Sequence, residues 1–266
     1  MLKAALMIIV PARNEEASIA SVVHSVRHIF PDTPLLVIDD HSSDATAQVA
    51  AEAGAQVVRP PKHAGLGGCL RTGYQIALER GFETVVRIDG DGQHEAEDIS
   101  GILRALKDTG ADVVIGSRFL TSDRWQTSWV RIVGIVALRC LLAPALGQTI
   151  RDPTSGFIGV GRRALELLAN LEAPYPEAGA LIALKRSGCR IHEIPCRMYP
   201  RRAGRSSMTF LTSLFYASRV LAGLPPRTMQ RKNIPEYPAS APVRDSSVPP
   251  SLESGPKPPA ISTCQD

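Results

Sequence analysis

The sequence has no C-x-x-C pair. Its five cysteines, Cys69, Cys140, Cys189, Cys196 and Cys264, are odd in number and widely scattered. Neither a disulfide framework nor a zinc site is indicated, and a reducing compartment is the simpler reading. An unbroken apolar run of the ~20 residues that a spanning helix needs is also missing. Residues 129–143 are apolar but interrupted by Arg131 and Arg139, and residues 208–224 contain Arg219. The short apolar run ending at Val10 is too short for a signal peptide with its cleavage site, and reads as a first buried strand. No nucleic-acid-binding motif of the usual kinds is recognised, so no nucleic-acid partner is expected. The string GLGG at residues 65–68 lacks the G-x-G-x-x-G spacing and follows the third strand pattern, not the first. It reads as a close backbone approach to a ligand or as a helix start.

What is present is an ordinary globular composition: 266 residues, 44% hydrophobic and 21% charged. That length fits one large domain or two small ones with a well-buried core. The net charge of +4 conceals an asymmetry. Residues 1–119 hold 11 Lys and Arg against 16 Asp and Glu; residues 120–232 hold 17 against 6; residues 233–266 hold 2 against 4. The middle segment suits phosphate groups or an anionic membrane surface.

Strand-like and helix-like patterns alternate through residue 119. Strands are predicted over 6–10, 35–39, 56–59, 84–89 and 112–117, and helices over 18–28, 44–53, 67–80 and 97–107. This spacing predicts βαβ units and an α/β fold with a mostly parallel sheet. Helical patterns follow at 163–170 and 177–187, and a strand at 190–199. In such sheets ligands bind beyond the carboxyl ends of the strands. Four polar clusters fall at those ends: Asn14 to Glu16, Asp39 to Asp44, Asp89 to Asp91, and Ser117 with Arg118. Each has a plain structural reading as a cap or turn. Their convergence on one edge points to a nucleotide or phosphate site.

The central stretch is VVRIDGDGQH, residues 85–94. An apolar run stops at Asp89 and Asp91, with Gly90 and Gly92 allowing a sharp turn. Two carboxylates at i and i+2 suit a hard divalent cation shared with substrate phosphates. Gln93 adds a carbonyl or amide. A second candidate anion grip is RRAGRSS, residues 201–207, which reads equally as a solvated basic loop. The helical pattern at 208–224 could lie in a membrane interface, pack on the domain or form a dimer contact. Residues 225–266 carry 10 of the 21 prolines and read as a disordered Pro/Ser-rich tail.

Six strings in order resemble the family-2 glycosyltransferases, in the branch of dolichyl- and polyprenyl-phosphate mannosyl- and glucosyltransferases. They are PARNEE (11–16), VIDDHSSD (37–44), DGDGQH (89–94), GSR (116–118), RDPTSGF (151–157) and RAGRSS (202–207), and they span about residues 4–224. The resemblance implies a Rossmann-like A-type glycosyltransferase domain at 1–224. Its nucleotide-sugar half is 1–119, its acceptor half 120–207 and its amphipathic helix 208–224. It implies that Pro11, Asn14, Glu16, Asp40 and Asp89 bind the nucleotide sugar. Asp89, Asp91 and Gln93 would hold Mg²⁺ or Mn²⁺. Arg118, Arg131, Ser155 and Arg205 would cradle the phosphate of a polyprenyl-phosphate acceptor. Asp91, Arg118 and Asp152 are the implied catalytic set.

The implied reaction is inverting transfer of a hexose from a GDP-mannose or UDP-glucose type donor, at the cytoplasmic face of a membrane. A phosphate acceptor is already an anion and needs little or no base; a sugar or small-molecule hydroxyl needs a carboxylate, with Asp152 and Glu177 the candidates. A non-catalytic nucleotide-sugar-binding protein is the third alternative. Arg13 stands where an aromatic is common in the family, His41 where Gly is frequent and Leu66 where Lys is common. Relatives of another kind carry C-terminal spanning helices; here the expected membrane contact is peripheral.

Overall fold

The structure is a computed structural model that describes residues 6–120, 129–171 and 178–199. Fourteen elements follow one another: β1 (Leu6–Ala12), α1 (Glu16–Ile29), β2 (Leu35–Asp39), α2 (Thr46–Glu52), β3 (Gln56–Val58), α3 (Gly65–Glu79), β4 (Thr84–Arg87), α4 (Asp98–Thr109), β5 (Val113–Ser117), α5 (Trp129–Leu146), β6 (Ile158–Gly161), α6 (Arg162–Ala169), α7 (Ala178–Arg186) and β7 (Ile191–Pro195). The strands form one sheet in the order β3-β2-β1-β4-β6-β5-β7.

β1, β2 and β5 are buried at every position, as expected for strands covered on both faces. Helices α1, α2 and α4 cover one face, where Val22, Val26 and Ile99 pack against Ile8, Val37 and Val86. Helices α3, α5, α6 and α7 cover the other, where Leu70, Leu142, Leu165 and Leu184 pack against Ile9, Ile38 and Val160. Each such side chain taken from water stabilises the fold by about 1.5–3 kcal/mol.

The predicted alternation holds, with shifts at the ends. β4 stops at Arg87, two residues short of Asp89, and the predicted 190–199 strand pairs only over Ile191–Pro195. β6 was not foreseen. It inserts antiparallel between β4 and β5, pairing Arg87 with Ile158 and Ile115 with Ile158. Its sequence, Ile-Gly-Val-Gly, is too short and glycine-rich to give a period-2 signal. Gly159 has a packing reason: a Cβ on it would lie 2.2 Å from Ile102 Cγ2, so α4 rests directly on the strand. The predicted halves therefore share one sheet, because β6 and β7 of the second half flank β5 of the first.

Antiparallel β6 has a functional consequence. Its N-terminal end lies beside the carboxyl ends of β4 and β5, so the preceding loop, 151–157, enters the same sheet edge as the Asp89 turn. Arg205, Glu177, the side chain of Arg131, the helix expected over 208–224 and the tail expected over 225–266 lie outside the described residues.

Candidate active site

The first two loops of the edge are tied to each other. Asn14 sits in the left-handed region at φ 55°, and its Oδ1 accepts the Ser43 N–H at 2.9 Å while the Ser42 hydroxyl accepts the Asn14 N–H at 2.9 Å. Asparagine tolerates that backbone region better than most residues. Glu16 accepts the Ala45 N–H at 3.0 Å, and Asp44 accepts the Glu16 N–H at 3.3 Å. Pro11 lies in β1 opposite Ile38, one position before the end of that pairing. Asn14 and Glu16 thus hold the frame of the expected nucleotide site.

Asp40 directly follows β2. One carboxylate oxygen accepts the Ala64 N–H at 2.7 Å, just before α3, and the other lies 2.8 Å from His63 Nδ1. His63 Nε2 in turn lies 3.2 Å from Arg13 Nη1. Neighbouring Asp39 pairs with Arg59 at 2.5 Å, and His41, at φ 57°, donates from Nε2 to Pro60 O at 2.7 Å. The 59–64 loop is therefore clamped onto the end of β2 by three side chains.

The central turn carries the metal candidates. Asp89 Oδ1 accepts from Arg87 Nη2 at 3.1 Å. Burial alone would raise the Asp89 carboxyl, but the positive charge of Arg87, then of His94 and Arg118, outweighs it and holds the pKa below the ordinary value. Asp91 is 4% exposed and accepts the Gln93 N–H at 3.0 Å. The Gln93 side-chain amide donates to Tyr199 O at 3.1 Å, which directs its amide group against the residues that follow β7.

His94 closes this turn from below. Its ring stacks on Phe157 with centroids 5.1 Å apart, and burial lowers its pKa. Its Nε2 is fully enclosed with no hydrogen-bond partner, and faces Asp89 Oδ2 at 3.9 Å, beyond hydrogen-bond reach. The residues fit a hard divalent ion. Asp89, Asp91 and the Gln93 carbonyl are oxygen donors of the right kind, and no group of three or more His, Cys, Asp or Glu among the described residues makes a closed cage. An ion with few protein carboxylates is the kind that shares its coordination with substrate phosphates.

Arg118 and Asp152 form the third part. Asp152 has no exposed surface, and Arg118 is 3% exposed. Arg118 Nε donates to Asp152 Oδ2 and Nη2 to Oδ1, both at 2.5 Å, and the Arg118 N–H reaches Oδ2 at 3.1 Å. Nη2 also meets the Thr154 hydroxyl at 2.6 Å. Glu193 of β7 shapes the loop by accepting the N–H groups of Arg151 at 2.7 Å and Asp152 at 2.9 Å. Ser155, expected on the acceptor phosphate, gives its hydroxyl proton to Gly116 O at 2.6 Å and accepts the Phe157 N–H at 3.2 Å. In this arrangement it shapes the loop. Both Asp152 oxygens are likewise engaged by Arg118, which favours a holding role over that of a base.

The sequence reading passed over Arg87, His94, Gly156, Thr154 and Glu193. Arg87 left a signal: a cation inside the apolar run before a carboxylate pair. Gly156 left none, because its role comes from a neighbour distant in the chain.

The family model described as Glycosyl transferase family 2 matches residues 7–168. Polyprenol monophosphomannose synthase of Mycolicibacterium smegmatis is 34% identical over 169 residues, covering 60% of this chain and 63% of that protein, somewhat under two thirds of its length. Undecaprenyl-phosphate mannosyltransferase of Micrococcus luteus is 29% identical over 215 residues, covering 77% of this chain and 87% of that one. Among solved structures, glucosyl-3-phosphoglycerate synthase from Mycobacterium tuberculosis, in complex with Mg²⁺ and uridine-diphosphate, superposes with a TM-score of 0.62 at 27% identity, covering 84% of this chain and 80% of that one. These A-type glycosyltransferase structures share the mostly parallel sheet and its helical layers. The chain belongs to glycosyl transferase family 2 and is a glycosyltransferase.

Proposed function

We propose that the enzyme is metal-dependent and inverting, and moves a hexose from a nucleotide sugar to a polyprenyl phosphate. The observation that carries this reading is one sheet edge where the Asp89–Asp91 turn stands beside a buried, bidentately held Arg118. The similarity to enzymes named for polyprenol and undecaprenyl phosphate supports the acceptor class. The neighbour crystallised with Mg²⁺ and UDP supports a metal and a nucleoside diphosphate.

In this reading Asp40, with Pro11, Asn14 and Glu16 around it, receives the nucleoside. Asp89, Asp91 and Gln93 would hold Mg²⁺ or Mn²⁺, which when bound would neutralise the charge that builds on the leaving diphosphate. Arg118 supplies positive charge on the acceptor side, joined by Arg131 and Arg205, and Asp152 and Thr154 fix its plane. The acceptor phosphate oxygen attacks the anomeric carbon from the face opposite the leaving group, so an α-linked donor gives a β-linked product. An anionic acceptor needs no proton removed, which agrees with an Asp152 engaged at both oxygens.

A second reading has a specific observation behind it: the structural neighbour is named for phosphoglycerate, a small phosphate-bearing acceptor. The test is a transfer assay with purified protein, Mg²⁺ or Mn²⁺, and labelled GDP-mannose, UDP-glucose and UDP-N-acetylglucosamine in turn. Polyprenyl phosphate in detergent or phosphoglycerate in buffer serves as acceptor. Chelator-sensitive label in the organic phase, lost in Asp91→Ala, is the expected result. Label on phosphoglycerate alone, or undiminished turnover in Asp91→Ala, overturns it.

A further inference from the structure

The buried Asp40 carboxylate is satisfied from within the fold. Its two oxygens take the Ala64 N–H and His63 Nδ1. The buried Cys69 thiol, whose pKa burial and then the neighbouring Asp40 charge push upward, stays a neutral donor beside it. A carboxylate so engaged has little left to offer a ligand directly. Its partner His63 is half exposed and carries the contact outward, with Nε2 lying 3.2 Å from Arg13 Nη1. Arginine can only donate, so Nε2 is the acceptor, and the ring proton sits on Nδ1, where Asp40 takes it. The three side chains form one directed chain, from a buried carboxylate through an imidazole to an exposed guanidinium.

Arg13 differs from the other cations of this edge in being held by a neutral acceptor. Asp39 neutralises Arg59, Asp89 faces Arg87 and Asp152 faces Arg118. Among the described residues no carboxylate forms an ion pair with Arg13, so its charge is kept for a ligand. We infer that Arg13 reads the nucleobase of the donor, and that His63 is a positioning residue through which Asp40 fixes the guanidinium. The inference rests on the nucleotide-sugar reading and deepens it, since Asp40 then meets the nucleoside by way of two side chains. The place fits. The Asp40 N–H bonds Ala12 O at 2.9 Å, so Arg13 stands where the ends of β1 and β2 meet, while the Asp89 turn follows β4 on the other side of β1. An exposed guanidinium offers donors only, in a planar fork. It pairs with O4 of uracil or O6 of guanine. Cytosine and adenine carry an amino group at that ring position, which is itself a donor. The geometry therefore selects a base with a carbonyl there.

The test is titration calorimetry of the full chain with UDP, CDP, GDP and ADP at one fixed Mg²⁺ concentration. Each carbonyl-bearing base then has an amino counterpart with the same ring. The expected result is that UDP or GDP binds at least about tenfold more tightly than its counterpart, the usual worth of a hydrogen bond to a charged group. Arg13→Met should remove most of that ratio. His63→Leu should reduce it several-fold, and His63→Gln, which keeps a donor and an acceptor, should restore it. Arg13→Met combined with His63→Leu should be no worse than Arg13→Met alone, because the two act as one unit. Equal affinity for both members of each pair, or a ratio unchanged in Arg13→Met, overturns the inference. If His63→Leu weakens all four nucleotides alike and lowers the melting temperature, His63 merely clamps the 59–64 loop, and its positioning role is overturned. Binding of none of the four by the wild type overturns the nucleotide-sugar reading itself. The expected discrimination without any transfer to polyprenyl phosphate would leave the inference standing and sink the proposed acceptor instead.

Discussion

Gly156 faces the Asp89 carboxylate so closely that a Cβ on it would lie 2.1 Å from Oδ2 and 2.6 Å from Oδ1. The glycine of the 151–157 loop and the first aspartate of the Asp89–Asp91 turn thus share one slot, and no larger residue fits without moving the carboxylate. Gly156→Ala is expected to leave the sheet intact and cost about 1–3 kcal/mol through overpacking. Turnover should fall by on the order of 10²–10³, the range seen when one charge-stabilising contact is lost. Thermal melting read beside the transfer rate separates the two effects. A variant with wild-type turnover would show that Asp89 tolerates displacement.

Arg87 governs the acid limit of Asp89. A folded-state pKa below the unfolded one means that Asp89 contributes stability above about pH 3.9, its unfolded value. That contribution is lost as pH falls through the lower folded value. Arg87→Met removes the largest favourable charge and leaves burial, which moves the carboxyl upward. Mn²⁺ binding, followed by electron paramagnetic resonance over roughly pH 4 to 8, should then weaken at a higher pH than in the wild type. Superimposable profiles would remove Arg87 from this role.

Asp152 is expected to act by holding Arg118. Asp152→Ala leaves a buried guanidinium without its counter-charge, which costs about 3–5 kcal/mol. A change of Arg118 and Asp152 together to Met and Leu should recover much of that stability and none of the activity. In Asp152→Asn a holding role lowers the rate and leaves the shape of the pH–rate profile alone. Loss of the acid limb in that variant would instead assign Asp152 as the base for a hydroxyl acceptor.

His94 is enclosed beside the Asp89–Asp91 turn. His94→Phe keeps the stack on Phe157 and removes Nε2. If Nε2 supports Asp89 once an ion is bound, Mn²⁺ affinity should drop about 10–100-fold, the usual cost of removing a supporting group. Titration calorimetry gives the answer independently of turnover, and unchanged affinity would reduce His94 to packing.

Local chemistry alone determined much of this protein. Apolar runs ended by polar clusters specify strands of a buried parallel sheet, because a strand covered on both faces must be apolar throughout. The DGDGQH turn suggested a divalent-ion site from two carboxylates two residues apart after a strand, and it took the convergence of three other polar clusters on the same sheet edge to favour that reading over a plain turn. Strand β6 escaped because its four residues are held by neighbours on both sides and by α4 against Gly159, contacts that leave no periodic trace. The family resemblance placed Ser155 on an acceptor phosphate, and Asp152 was a candidate base for a hydroxyl acceptor. Only the tertiary structure shows their hydrogen-bonding groups engaged by Gly116 and Arg118. The same holds for Gly156 against the Asp89 carboxylate. One residue's space, partner or exposure is set by atoms far away in sequence, and pattern along the chain cannot encode it.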